Sequence, residues 1–203
     1  MEQGDYTSFD LNNVPVELRE HAQKYLDAGD IEGMLFTLPS KERLGFVAWN
    51  RDALILRGML EKAFVSAYVS DDMGMFPIYD AIELILEFCN REHMRETLYP
   101  PPVKKKRYKL YRGVVNIEEA MGKFYGGYSW TSSYTVAHNF ALRRARMLKM
   151  NDPAVLVSFI RHENILFYSN DRKEDEYFVD ATCLGHVKIH SLLNGSDQFI
   201  VES

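Results

Sequence analysis

Along the first hundred residues the apolar positions recur every three or four places, at Leu54, Leu60, Phe64 and Ala67 and again at Ile78, Ile82, Ile85 and Cys89. That spacing lines one face of an α-helix, so 1–100 is expected to be helical. Asn13 is expected to cap the segment entered through Pro15, Ser40 to cap the next long stretch, and Pro77 to sit in the first turn of a helix running towards Asn90. Beyond the run YPPPVKKKRY the pattern changes. Three consecutive prolines supply neither helical donors nor helical geometry, which makes them the candidate boundary. The segments YKLYRGV, AVLVSFI, ENILFYS, EYFVDA, GHVKIHSL and QFIVES are short, rich in β-branched and aromatic residues, and separated by Gly, Asn and Asp. They predict strands. Two helices interrupt them, at about 117–124 and 135–149, the second with Ala137, Ala141, Ala145 and Leu148 along one side. The expected architecture is α+β, a helical N-terminal layer packed on a β-rich core. It forms one domain over 1–203, helical in 1–100 and β-rich in 107–203.

Charge sharpens this division. Residues 1–100 carry 9 Lys and Arg against 18 Asp and Glu, whereas 101–203 carry 15 against 11. The second part is therefore the one suited to face an anion. Cys89 and Cys183 are far apart and form no C-x-x-C pair, which argues against a disulfide scaffold and against a zinc site. The start MEQGDYTSFD is acidic where a signal peptide would be basic and then apolar, and no apolar run reaches membrane-spanning length. The expectation is a soluble cytoplasmic protein that needs no metal and no membrane.

Three features in the β-rich part carry chemistry. Tyr111-Arg112-Gly113 ends a predicted strand, where Arg offers a planar fork of donors to a diphosphate and Gly lets a ligand approach the backbone. Tyr128-Ser129-Trp130-Thr131-Ser132 sets two aromatics among hydroxyls just before a helix, a source of stacking surface and hydrogen bonds. In Glu174-Asp175-Glu176, an extended backbone would send both glutamates to one face and Asp175 to the other.

An Arg, then an aromatic strand resembling Ser-Thr-Ser, then Glu-x-Glu entering a strand resembles the ADP-ribosyltransferase superfamily. More narrowly it is similar to the branch of arginine-directed bacterial toxins and phage host-modifying enzymes. The resemblance extends to the helical N-terminal part, with its specific motifs in 111–141 and 165–180. It implies an ADP-ribosyltransferase-like core and NAD as co-substrate. Arg112 then matches the residue that binds the NAD diphosphate, and Gly113 the position where backbone groups clasp the nicotinamide amide. Thr131 and Ser132 match the second and third members of Ser-Thr-Ser. Trp130 stands where Ser begins that element, which leaves Ser129 or Ser133 to supply a hydroxyl towards Arg112 or the catalytic Glu. Tyr128 or Trp130 is expected against the nicotinamide side of the pocket, and Arg172 is a candidate second phosphate contact. Glu176 matches the catalytic Glu and Glu174 the one preceding it.

The chemistry gives these residue types work to do. When nicotinamide leaves, the ribose becomes oxocarbenium-like, and a fixed carboxylate stabilises that charge in the transition state. An acceptor guanidinium stays protonated until a carboxylate orients it and takes its proton. The neighbouring cations Arg172 and Lys173 are expected to favour the ionised form that both Glu174 and Glu176 need. The resemblance implies a macromolecular acceptor, with protein arginine ahead of a nucleic-acid base, and leaves room for an inhibitory partner protein. The nucleic-acid alternative draws on the basic run Lys104, Lys105, Lys106, Arg107 and Lys109 and on Arg143, Arg144 and Arg146. Two further alternatives are a binding module of the same fold without catalysis and an RNA 2'-phosphotransferase, for which His138, His162, His186 and His190 offer no clear match.

Overall fold

The computed structural model describes residues 8–70, 78–116 and 127–192. The chain divides into two compact units, Met1–Arg91 and Glu92–Ser203. The first is helical. A 3-10 turn, Val16–Leu18, leads into α1 (Arg19–Asp27), followed by α2 (Ile31–Phe36), α3 (Ser40–Trp49), α4 (Arg51–Leu56), α5 (Leu60–Val69) and α6 (Ile78–Leu86). The helical periodicity reports burial correctly: Leu54, Leu60, Phe64, Ala67, Ile82 and Ile85 all lie in its core. The caps differ from those expected. Pro15 and Pro39 precede the first turns with no side-chain cap bond, and Ser40 is already the first residue of α3. A proline φ near −50° presets the chain for a helix without a hydroxyl. Between α3 and α4 the buried Asn50 donates to Phe46 O and Asp10 O and accepts from Asp10 N, fixing the break there. Cys89 lies past the end of α6, and Pro77 falls outside the described residues.

In the second unit six strands form one antiparallel sheet in the order β4-β5-β2-β1-β3-β6. They are β1 (Arg107–Val114), β2 (Ser129–Thr131), β3 (Ala154–Arg161), β4 (Ile165–Ser169), β5 (Glu176–Val179) and β6 (Val187–Ser191). A single long helix, α7 (Tyr134–Leu148), joins β2 to β3. Alternation along β1 sends Tyr108, Leu110 and Val114 into a core shared with Trp130, Leu156, Tyr177 and Ile189. The other face receives α7. Ser133 caps that helix by accepting from Val136 N, and Ala137, Ala141 and Ala145 recur every four residues on its buried side. Leu148, expected on the same side, is exposed in the last turn.

The unit boundary falls before the prolines. Met94–Leu98 forms a π-helical turn whose Arg95 donates through Nη1 to Glu163 O and Ile165 O, while Tyr99 O accepts from Tyr168 N of β4. Residues 92–100 therefore fold with the sheet. A helical unit and an antiparallel sheet unit with its own helix make the chain α+β. The expected helix at 117–124 and the strand QFIVES lie outside the described residues.

Candidate active site

The sheet order brings the three sequence features together, because β5, β2 and β1 are neighbours. Tyr111 of β1 stands opposite Thr131 of β2, which in turn stands opposite Glu176 of β5. Among the described residues Tyr111↔Thr131 is the only registered pair between β1 and β2. Past it a side chain takes over from the main-chain ladder: Arg112 Nη1 donates to the carbonyl of Ser129 at 2.5 Å. The hydroxyl of the same serine donates to Glu176 Oε1 at 2.5 Å. Arg112, Ser129 and Glu176 thus form one connected chain across three strands.

The hydroxyls after Ser129 grip the rest of the acidic motif. Thr131 Oγ1 donates to the Glu174 carbonyl at 2.6 Å, and Ser132 Oγ donates to Asp175 Oδ2 at 3.1 Å. Tyr168 Oη donates to Asp175 Oδ1 at 2.6 Å, and Asp175 N donates to Asn170 Oδ1 at 3.1 Å. Each residue of Glu174-Asp175-Glu176 is therefore tied to a different hydroxyl of the 129–132 segment.

Glu176 is half-buried, and burial pushes its carboxyl above the ordinary range. The Ser129 hydrogen bond and the charges of Arg172 and Arg112 oppose that rise, while Glu174 adds to it. The cation expected beside it from Lys173 is not among those influences, whereas Arg112, from another strand, is. The result is a carboxylate fixed at one oxygen, with guanidinium groups and a second carboxylate near enough to affect it. Such a set can stabilise a developing cation and hold an anion.

Several assignments change in the structure. Glu174 and Glu176 do not share a face by strand alternation: β5 begins at Glu176, and Asp175 has φ 48°. Asp tolerates this left-handed conformation, and the kink replaces the extended geometry. Trp130 is a core residue, 1% exposed, with its indole N–H donated to Gly127 O. It alternates with Ser129 and Thr131 and so points to the opposite face of β2, away from Glu176. Tyr128 is also buried, stacked on Phe178 at 4.9 Å, which stacks in turn on Phe167. Its ring belongs to an aromatic column. At Gly113 a Cβ would lie 2.1 Å from Ala137 O and 2.7 Å from Ala141 N, so its lack of a side chain admits the backbone of α7 and not a ligand. Thr131 and Ser132 serve the acidic loop, and Arg172 is exposed on it.

Of the two serines expected to supply a hydroxyl, Ser129 reaches Glu176, whereas Ser133 caps α7. The sequence signal for Ser129 was alternation: in Ser129-Trp130-Thr131 the bulky apolar residue marks the core face and the two hydroxyls the other. Among the described residues no cluster of His, Cys, Asp and Glu suits a metal ion, and no helix is long and apolar enough to cross a membrane. Compared with known proteins, the chain matches no family model, no curated protein and no solved structure.

Proposed function

We propose that the chain is a mono-ADP-ribosyltransferase that splits NAD and transfers ADP-ribose to an acceptor, protein arginine. The observation that supports this reading is the chain of contacts Arg112–Ser129–Glu176, with Glu174 close enough to act on Glu176. Three motifs up to 64 positions apart, taking Arg112 and Glu176 as the ends, meet at one place in the sheet.

In this reading Arg112 holds the diphosphate of NAD, helped by Arg172 on the loop. The bond between ribose C1' and the nicotinamide nitrogen breaks, and its electron pair leaves with nicotinamide. Glu176 stabilises the positive charge left on the sugar, with Ser129 keeping the carboxylate in one orientation. Glu174 orients the acceptor guanidinium and takes its proton as the new C–N bond forms. Trp130 contributes only by packing.

The test measures nicotinamide release and acceptor labelling in parallel, using NAD labelled in its adenylate part and a cell lysate. Glu176→Gln should lower both by about 10² to 10³, the scale for loss of one electrostatic stabiliser. Glu174→Gln should keep much of the release and lose the labelling. Arg112→Ala should weaken NAD binding in a folded protein, as read by calorimetry. Label removed by protease and not by nuclease identifies a protein acceptor. A fully active Glu176→Gln, or unchanged NAD affinity in Arg112→Ala, overturns the reading.

A further inference from the structure

Strand β1 carries cations at both ends. Arg112 is near one end. At the other, about 16 Å away at roughly 3.3 Å per residue, the strand begins with Arg107, preceded by Lys104, Lys105 and Lys106. All four are exposed, and with Arg161, His162 and the carboxylate of Glu163 they line a groove of about 490 Å³.

Two observations separate this groove from an ordinary solvated run of lysines. First, its backbone is pinned. Lys105 N donates to Tyr108 Oη, that hydroxyl donates to Val103 O, and His162 N donates to Lys106 O. The Tyr108 ring stacks on His162 behind the run, at 6.0 Å between centroids. Second, Arg107 stands in register opposite Arg161. Like charges directly opposite on neighbouring strands repel. Arg161 meets Glu163 at 3.2 Å, but both side chains are more than half exposed, at 58% and 59%, and such a pair offsets little. Lys104 is bound by Glu96 at 2.7 Å, whereas among the described residues no carboxylate pairs with Lys105, Lys106 or Arg107.

We propose that this groove binds the phosphate backbone of a nucleic-acid strand. Cations carried on a pinned backbone along a concavity suit a chain of phosphates, and the repulsion between Arg107 and Arg161 is relieved by an anion lying between them. A groove admits a strand, whereas a bilayer needs a convex or flat face. The two rings beside the run, Tyr108 and His162, face each other and are largely buried, so the contacts are to phosphate and carry no base preference. The inference does not depend on the roles of Arg112 and Glu176.

The test titrates the full-length protein into a fluorescein-labelled single-stranded RNA of mixed sequence and follows anisotropy at several salt concentrations. Affinity should fall with salt, with a log–log slope of about −3 if four phosphates are neutralised. Lys105→Glu with Arg107→Glu should weaken binding at least about tenfold and flatten the slope by at least about 1.4, two phosphates' worth. The milder pair Lys105→Gln and Arg107→Gln should weaken it less, and Lys105→Arg with Arg107→Lys should restore it. Arg143→Glu with Arg146→Glu changes net charge equally on the exposed side of α7 and should leave affinity unchanged, as should Glu176→Gln. No salt-sensitive binding by the wild-type protein, or equal loss in both charge-reversed pairs, overturns the proposal. Retention on phosphatidylserine vesicles without RNA binding overturns it in favour of a membrane surface.

Discussion

At the scale of single residues, Ser129 decides how the acidic group is held. Its hydroxyl favours the ionised form of Glu176 against the burial that disfavours it. In Ser129→Ala that influence is gone and the carboxyl rises further, so the acid limb of nicotinamide release should move to higher pH. A pH–rate profile of kcat/KM for both proteins measures the shift, and an unmoved limb would show that the hydroxyl has no bearing on ionisation. Trp130 gives a contrasting case. As a buried core side chain it should cost about 3 to 5 kcal/mol when cut to Ala, read from urea denaturation, while Trp130→Phe should leave nicotinamide release nearly intact. The strand positions of Arg112 and Glu176 were legible in the sequence from the apolar and aromatic residues around them. The choice between Ser129 and Ser133 stayed open in the sequence, since a slip of one position sends every side chain of a strand to the other face, and only the register Thr131↔Glu176 decides between them.

At the scale of elements, β1, β3, β4, β5 and β6 were legible from their β-branched and aromatic content and α7 from its alanines, within two residues of the observed ends. What could not be read was the reason for Gly113. A glycine after an arginine suits a ligand as well as a helix, and only the fold shows the α7 backbone lying on it. Gly113→Ala would drive a methyl group into main-chain atoms that cannot rotate away, so either β1 or α7 must shift. A loss of about 1 to 3 kcal/mol or more is expected, measured by thermal or chemical unfolding. Stability equal to wild type would mean that the helix moves at no cost. The caps were misread because proline and hydroxyl residues both begin helices, and Pro39 directly precedes Ser40. The acidic stretch was misread because alternation presumes an extended chain, which Asp175 interrupts.

At the scale of the whole molecule, charge links sequence to behaviour. The basic surplus after Pro100 and the run at 104–107 were visible in the sequence, but the placing of Arg161 beside that run depended on the register Arg107↔Arg161, which no count contains. Two carboxylates then set opposite trends of stability with pH. Hydrogen bonds from Lys104, Arg95 and His162 hold Glu96 at about 2, below its ordinary 4.5. Its contribution is complete above 4.5 and is lost as pH falls towards 2. Glu176 is shifted upward, so its contribution is complete below 4.5 and is lost as pH rises through its folded value. Glu96→Gln should therefore flatten the acid side of the stability profile, and Glu176→Gln should raise stability at neutral pH relative to wild type. Denaturation midpoints across a pH series measure both, and parallel profiles in all three proteins would contradict the assignments.

The left-handed turn at Asp175 has a consequence for how this region can diversify. Asp175 turns left-handed just before Glu176, so the strand register of β5 rests on Glu176, Tyr177 and Phe178 against β2 and on its pairs with β4. Lys173, with φ 57°, is a second such turn, so the exposed tip at 171–173 is separated from the strand by two reversals. Residues of that tip other than Arg172, whose charge acts on Glu176, can be exchanged without breaking the bond between Glu176 and the serine that holds it. In the proposed enzyme the carboxylate and the exposed positions on either side of Arg172 are thus free to change at different rates.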